Sequence, residues 1–503
     1  MDRFALISVY YKDGIERLSR SLVDKGFKLI STGGTYEYLR SYGFEVTRVE
    51  DVTHFPESPG GRVKTLHPGI FAGILVRRDN KEDMEYLEKN HIPLIDFVVV
   101  NLYPFTEKRD LATHELLEFV DIGGISLIRA AAKNYRWVTL VCDPHDYDYI
   151  SKHLENDTID EKLRSQLAIK GFMKTVQYDA AILSELSARF GTEHNLKVFL
   201  FSKHQELRYG ENPHQKGSVY FNLLEGHSFL QNLEVLSGIE LSYNNILDAH
   251  SAYNIVSEFN EPACAIVKHN IPCGVALGND ILEAYKKALS GDELSAYGGI
   301  VALNRTVGKE LAEVLNDFFF EVIVAADYTN EALEVLRKKK KRRVLKVKCF
   351  TRIAEDYRFV DHDLLVQDRD LRELSEDDLK VLTGELDGRE MNDIFFGDKV
   401  VKHVKSNAIV VVKDRMLLGM GGGQTSRVDA TKIALEKAGD RARGAIMVSD
   451  GFFPFADSLE LAVKSGIKVV VEPGGSVRDE EIIKFARESG LTLVFTGVRR
   501  FKH

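Results

Sequence analysis

Three observations predict a multidomain α/β protein. The chain has 503 residues, more than one hydrophobic core usually supports, so two or more domains are expected. From Phe4 to about Ile150, short apolar runs alternate with amphipathic helical patterns, which is the wiring of a sheet covered by helices. Farther on, the apolar run Ala263-Cys264-Ala265-Ile266-Val267 meets Lys268-His269 and turns through Asn270-Ile271-Pro272-Cys273-Gly274. An ammonium and an imidazole therefore stand side by side where a strand ends at a sheet edge.

In chain order, strands are expected over residues 4–9, 27–30, 44–49, 97–101 and 137–142. Between them lie Ser31-Thr32-Gly33-Gly34-Thr35, after the second strand, and Asp121-Ile122-Gly123-Gly124, before a helix. Backbone N–H groups at such junctions suit an anion. Neither is a P-loop, since no Gly-Lys-Ser/Thr follows. The stretch Gly60-Gly61-Arg62-Val63-Lys64-Thr65-Leu66-His67-Pro68 is too polar and too rich in turn formers for a strand or helix. Asn101-Leu102-Tyr103-Pro104-Phe105 leaves the fourth strand at its carboxyl end, where open parallel sheets bind small molecules. If both loops face one pocket, Lys12, Arg62, Lys64 and Lys133 make it cationic, which suits a phosphorylated ligand. Lys133 follows Ala130-Ala131-Ala132 on a helix expected over residues 125–135, and its plain reading is an exposed helix lysine.

A helix over residues 160–190 loses its amphipathic pattern across 191–203, and 208–215 is a polar loop, so a domain boundary falls there. The division expected is 1–199 and 200–503. Lysine and arginine number 67 against 76 acidic residues, and the formal charge of −9 argues against general affinity for nucleic acid. The one basic run, Arg337 to Arg343, follows a helical pattern over 330–336 and precedes a strand-like 344–347; it reads as a solvated helix end, with RNA binding the lesser alternative. The four cysteines, Cys142, Cys264, Cys273 and Cys349, show no two-residue spacing, so no disulfide framework is indicated and a reducing cytoplasm fits. No leader pattern opens the chain, and no stretch approaches the ~18 apolar residues of a membrane span. An unprocessed protein without a membrane partner is expected.

Zinc-dependent nucleobase deaminases carry His-x-Glu and Pro-Cys-x-x-Cys. Here Asn270-Ile271 follows His269, and Gly274-Val275-Ala276 follows Pro272-Cys273, so the glutamate and the second thiolate are absent. No metal site is expected, and Lys268 with His269 can move protons directly. A short echo between residues 265–270 and 401–409, each with basic residues beside an apolar strand, suggests duplication.

Gly-Arg-Val-Lys-Thr-Leu-His-Pro at Gly61, Asn-Leu-Tyr-Pro-Phe at Asn101, Asp-Ile-Gly-Gly at Asp121 and Arg-Tyr-Gly-Glu-Asn-Pro-His-Gln at Arg208 are joined by Leu-Ser-Tyr-Asn-Asn-Ile-Leu-Asp at Leu241 and by the Lys268-His269 motif. Lys-Ser-Asn-Ala-Ile at Lys405, Gly-Gln-Thr-Ser-Arg at Gly423 and Pro-Gly-Gly-Ser-Val-Arg-Asp at Pro473 complete a set spanning the chain. The sequence thereby resembles the bifunctional purine-biosynthesis enzymes that join a formyltransferase to an inosinate cyclohydrolase. That resemblance implies an N-terminal domain similar to methylglyoxal synthase, and a C-terminal region of two zinc-free, cytidine-deaminase-like α/β units. It implies formyl transfer from 10-formyltetrahydrofolate to 5-aminoimidazole-4-carboxamide ribonucleotide (AICAR), giving FAICAR, and dehydrative closure of FAICAR to IMP. A homodimer is implied, with a monovalent cation allowed and no catalytic metal.

By the same resemblance, His269 is the base for a delocalised, weakly nucleophilic amine. Lys268 donates a proton or stabilises the oxyanion, and Asn407 contacts the formyl oxygen or holds the imidazole. Arg208, Tyr209, Arg427 and Arg499 are assigned to the nucleotide, with Gly299 in a substrate loop whose Tyr297 stands where Phe is more usual. Phe452, Pro454 and Phe455 belong to a Phe-Phe-Pro-Phe run that by itself reads as core packing and by resemblance as the pteridine slot. At the first site Lys64, Tyr103, Asp121 and Lys133 handle and orient protons. Lys12, Ser31, Gly33, Gly34, Thr35, Arg62, Thr65, Asn101, Gly123 and Gly124 bind substrate. Other positions also depart from the family: Tyr10-Tyr11-Lys12-Asp13 replaces a usual Ser-Asp-Lys-Thr, His362-Asp363 a Gly-Gly pair, and Arg500 a His. The first is expected to change phosphate contacts, and the last to alter a loop beside the formyltransferase site. Two other readings are kept for the N-terminal half alone, a methylglyoxal-synthase-like lyase and a nucleotide-sensing module.

Overall fold

The computed structural model describes residues 2–56, 62–191, 196–224, 226, 228–348 and 354–503. Gly60, Gly61, Cys349 and residues 192–195 of the expected boundary lie outside them. The chain divides into two compact units, Met1–Leu200 with Asn222–Leu224, and Phe201–Phe221 with Glu225–His503.

In the first unit β1 (Arg3–Val9), β2 (Lys28–Ser31), β3 (Val46–Arg48), β4 (Leu94–Asn101) and β5 (Thr139–Val141) form an all-parallel sheet in the order β3-β2-β1-β4-β5. Phe27 and Phe44, expected to open strands, lie just before them as buried anchors. All eight residues of β4 are buried, which is why it reads as a continuous apolar run rather than an alternating one. Helices α1 (Gly33–Ser41), α2 (Gly123–Lys133) and α3 (Glu161–Phe190) belong to this unit. Separate apolar clusters around Ile7, Val99 and Leu167 on one side and Leu6, Val98 and Ile128 on the other place helices on both faces. Neighbouring residues of β1 and β4 divide between the two clusters because strand side chains alternate. Helix α3 starts where Asp160 Oδ1 accepts from Leu163 N at 2.7 Å and stops at Gly191, whose φ of 58° needs a glycine-like backbone. With this strand order, the direction of winding reverses between β1 and β4, and a crevice opens at their carboxyl ends.

The second unit contains two small hairpins, β6 (Phe201–Leu207) with β7 (Gly217–Asn222) and β14 (Glu355–Val360) with β15 (Asp363–Asp368). The His362-Asp363 departure forms the turn and first residue of β15. Its large sheet is a duplication. One half holds β8 (Leu233–Ser237), β9 (Ala263–Lys268), β10 (Ile271–Leu277), β11 (Ile300–Val307), β12 (Val322–Tyr328) and β13 (Arg343–Val347). The other holds β16 (Lys380–Thr383), β17 (Ile409–Lys413), β18 (Met416–Gly421), β19 (Ile446–Ser449), β20 (Val469–Glu472) and β21 (Thr492–Phe495). The order β16-β21-β20-β19-β17-β18-β10-β9-β11-β12-β13-β8 reads the same from either end, with the seam between β18 and β10. In each half a hairpin meets an antiparallel strand, followed by two parallel strands and an antiparallel edge strand.

Helices α4 (Tyr243–Val256), α5 (Ile281–Gly291), α6 (Gly388–Val401) and α7 (Arg427–Ala438) occupy equivalent places in pairs, α4 with α6 and α5 with α7. α5 and α7 press so closely on the hairpins that a Cβ at Gly274 would overlap the Ala288 carbonyl, and one at Gly419 that of Ala434. Glycine is required there by approach, not by φ. The duplication expected from sequence exists, but its register is different. Lys268-His269-Asn270 corresponds to Lys413-Asp414-Arg415, the turn of the β17-β18 hairpin, and not to residues 401–409. The expected echo compared basic residues at a strand's end with others before a strand's start.

The basic run also divides. Helix Asn330–Leu336 ends as predicted, but Arg342 and Arg343 are buried and spent on the protein. Arg342 donates to the carbonyls of Phe318 and Phe320, and Arg343 to that of Glu240. Only the preceding part is a solvated helix end; a charge count does not reveal carbonyls that approach through tertiary packing. No helix among the described residues is long and apolar enough to cross a membrane.

Candidate active sites

At the carboxyl ends of β1, β2 and β4 lies a cavity of about 620 Å³. Lys12, Gly34, Thr35, Arg62, Lys64, Thr65, Asn101, Tyr103, Asp121, Gly123 and Gly124 line it, so the two glycine turns and the two polar loops converge as the strand pattern implied. Helices α1 and α2 begin at the cavity, and their amino ends turn the positive end of the helix dipole toward it. A Cβ on Gly33 would lie 3.0 Å from Lys64 Nζ, and one on Gly34 3.9 Å from Lys12 Nζ. Both ammonium groups therefore sit over the first glycine turn. The Arg62 guanidinium is paired with Glu118, a neighbour that sequence reasoning missed.

Other expected residues hold the cavity's walls. Ser31 Oγ donates to Ile7 O at 2.7 Å and does not line the cavity; Thr35 Oγ1 donates to Val9 O at 2.9 Å and accepts from Val9 N at 3.1 Å. Asn101 Oδ1 accepts from Tyr10 N and Tyr11 N, while Nδ2 donates to Tyr11 O at 2.9 Å, so its amide shapes the Tyr10-Tyr11 loop. Tyr10 stacks edge-on against Tyr103, with centroids 5.7 Å apart. The departure at Tyr10 thus builds an aromatic wall beside the expected catalytic tyrosine. Asp121 Oδ1 accepts from Gly124 N at 2.6 Å, and burial pushes its carboxyl above the ordinary carboxylate range. Lys133, at the far end of α2 about 15 Å along its axis, is exposed and does not line this cavity.

In the second unit the sheet topology gathers the remaining residues at one end. Lys268 ends β9, Gly299 precedes β11, and Asn407 precedes β17; antiparallel pairing brings all three to the same edge. β18, β19 and β20 also finish there, delivering Arg427, Asp450 and Glu472. Lys268 Nζ donates to Tyr297 O at 3.0 Å. Asn407 Oδ1 accepts from Arg427 Nη2 at 2.7 Å and its Nδ2 donates to Gln424 O at 3.0 Å. Arg427 also donates to Ser449 Oγ at 2.9 Å and pairs with the fully buried Asp450. β9 and β17 are three strand spacings apart, about 14 Å. The Asn407 amide is engaged by Arg427 and Gln424 on the far side of that interval.

The Phe-Phe-Pro-Phe run serves both purposes. Phe453 is fully buried in a core cluster, whereas Phe452 and Phe455 are 40% and 51% exposed, and Arg478 lies 4.6 Å over the Phe455 ring. Arg499 is exposed, 4.4 Å over Phe501, and Arg208 lies 5.4 Å from the Tyr209 ring. Arg500 is buried: it donates to Asp398 at 2.9 and 2.7 Å and to Asp370 at 2.7 and 2.8 Å. Its backbone N–H donates to Asp450 O at 2.9 Å. This departure from the family anchors the chain end beside Arg427. Cys273 donates to Ile266 O, and burial pushes its thiol up to about 12, so it is held as thiol rather than metal-binding thiolate. Among the described residues no group of three His, Cys, Asp or Glu is placed to hold a metal ion.

Residues 131–437 match the family described as AICARFT/IMPCHase bienzyme, and residues 14–126 match the MGS-like domain. The chain is 47% identical to the bifunctional purine biosynthesis protein PurH of Persephonella marina, 48% to that of Clostridium perfringens and 45% to that of Thermoanaerobacter sp.. Each comparison covers 100% of this chain and 100% of the relative.

Proposed function

The chain belongs to the AICARFT/IMPCHase bienzyme family and is a bifunctional AICAR formyltransferase and IMP cyclohydrolase of purine biosynthesis; we propose that its two reactions run at the two sites described above. Ring closure is assigned to the first-unit cavity. The convergence of Lys12, Lys64, Arg62 and two helix amino ends on one 620 Å³ space carries that reading, because FAICAR bears a phosphate. There the carboxamide nitrogen attacks the substrate's own formyl carbon and water leaves. The reaction is intramolecular, so holding a near-attack conformer supplies much of the rate, with effective molarities of about 10⁵ M or more available. Lys64, Tyr103 and Asp121 orient the reacting groups and move the protons. Burial keeps Asp121 easier to protonate than an exposed carboxylate, which suits a group that must give a proton to departing water. Lys133 remains a proton-handling candidate by resemblance alone, since its exposed place at the far end of α2 gives it no contact with this cavity.

Formyl transfer from a folate donor, 10-formyltetrahydrofolate, is assigned to the sheet edge of the second unit. His269 takes the amine proton as attack on the formyl carbon proceeds, and Lys268 faces the developing oxyanion. Arg208, Tyr209, Gly299, Arg427 and Arg499 bind AICAR, and Asn407 is oriented toward the transferred group by Arg427. Phe452, Pro454 and Phe455 form the apolar side of the pteridine slot. A monovalent cation would find a hard oxygen ligand in the buried Asp450 Oδ2, the one oxygen of that carboxylate not engaged by Arg427. A homodimer is supported by the exposed stripe Ile169, Phe172, Met173 and Val176 on α3, spaced as one helix face. A reducing cytoplasm is supported by the unpaired Cys142, Cys264 and Cys273.

The test is a crossed assay. Lys64→Ala removes a charge-assisted contact worth about 1.5 to 3 kcal/mol and lowers cyclohydrolase alone. His269→Ala lowers formyl transfer alone, by about 10² or more. If either variant reduces both activities equally while folded, the assignment of separate sites is wrong.

A further inference from the structure

We propose that Asp248 is a positioning residue for formyl transfer, holding the His269-Asn270 turn so that the strand end presents the imidazole. This rests on the reading of His269 as the base. His269 and Asn270 both have left-handed backbones, with φ of 55° and 61°. A two-residue hairpin loop demands that conformation and normally recruits Asn-Gly or Asp-Gly to supply it. Neither residue here is glycine, so that backbone is strained at both, and acceptors placed on the turn's N–H groups offset the cost. Asp248, on α4 and nearly buried, supplies them: Oδ2 accepts from His269 N at 3.2 Å and Oδ1 from Asn270 N at 2.6 Å.

The internal duplication separates frame from function. In the second copy Asp393, at the matching place on α6, accepts from Asp414 N at 2.9 Å and Arg415 N at 2.6 Å. Both of those residues have φ of 53°. Lys413 Nζ donates to Arg443 O at 3.0 Å, as Lys268 does to Tyr297 O at the same distance. Cradle, lysine contact and turn are thus shared. What differs is the side chain displayed, His269 in one copy and Asp414 in the other, and the two turns lie at opposite ends of the sheet. Ser251 Oγ adds a tether to Asn270 Oδ1 at 2.8 Å; its counterpart, Phe396, is buried in the core. The first copy therefore uses a common structural cradle to aim a base, and the second uses it only to close a hairpin.

The duplicate supplies a matched control in the full-length protein. Asp248→Asn and Asp393→Asn each replace a double acceptor by a group that turns an N–H toward one of the two backbone N–H groups. Formyl-transfer kcat, KM for AICAR, AICAR affinity and the melting temperature are measured for both, beside His269→Ala. Asp248→Asn is expected to lower kcat by about 10- to 100-fold with AICAR affinity near wild type. Asp393→Asn is expected to lower the melting temperature comparably while keeping wild-type kcat. Equal kcat in the two Asn variants overturns the proposal, since both cradles would then be structural alone. An active His269→Ala overturns the base reading and the proposal with it; an inactive His269→Ala beside a fully active Asp248→Asn overturns only the positioning role. Should Asp248→Asn fail to fold, Ser251→Ala replaces it: a lowered kcat at unchanged melting temperature supports the proposal, and a wild-type kcat overturns it.

Discussion

Glu472 shows how a single residue's chemistry is set by what surrounds it. It ends β20 with no exposure; Oε2 accepts from Phe453 N at 2.6 Å, and Oε1 has no partner. Burial pushes its carboxyl from the ordinary 4.5 up to about 8. The native chain thus keeps a proton that the unfolded chain releases above 4.5. Its contribution to stability is complete below that value and is lost as pH rises to and through about 8. The melting temperature of the wild type should therefore fall from about pH 5 to about pH 8 relative to Glu472→Gln, whose amide still accepts from Phe453 N. Parallel melting profiles for the two proteins would mean that the carboxyl is not protonated. That Lys64, Lys268 and His269 stand at turn and strand boundaries was legible in the sequence, because turn chemistry is local information. Asp248, Asp450 and Glu472 were not, because a carboxylate's importance here comes from backbone and guanidinium groups far along the chain.

At the scale of elements, the Asp121 turn and the start of α2 act as one unit. An added Cβ at Gly124 would lie 2.5 Å from Asp121 Oδ2, inside any tolerable contact. Gly124→Ala must displace the carboxylate or the helix start, so cyclohydrolase should fall by about 10- to 100-fold with formyl transfer unchanged. Assaying both reactions on the same preparation checks this; an unaffected cyclohydrolase would show that Asp121 only caps α2. The strands of the first unit were readable from apolar runs, and β4 most clearly, because a strand buried on both faces leaves no polar interruptions. The duplicated hairpins were readable only in part. Equivalence of Lys268-His269-Asn270 with Lys413-Asp414-Arg415 rests on backbone conformation and an acceptor on a helix, and neither constrains side-chain identity enough to leave a repeat in the sequence.

For the whole molecule, the first unit has its own sheet, both covering helical layers and every residue lining its cavity. Residues 1–199 expressed alone should fold and cyclise FAICAR, measured as the rate of IMP formation against the intact chain. A folded but inactive fragment would mean that residues 200–503 complete the site. The second unit has no such independence between its halves, because the seam pairs β18 with β10 in one continuous sheet.

From sequence alone came the α/β class, the strand ends that carry lysine, histidine and glycine turns, and the family that their order resembles. These follow from periodicity and turn chemistry, which act over a few residues. Tertiary structure alone decided that β17 and β9 stand about 14 Å apart, that Arg342 and Arg343 are buried rather than solvated, that Arg500 is buried between Asp370 and Asp398, and that the repeat runs through the hairpin turns. Each of those outcomes depends on which strands pair and which helix lies over them. Such long-range partners satisfy the same backbone and charge requirements through many different residues, so no local pattern announces them.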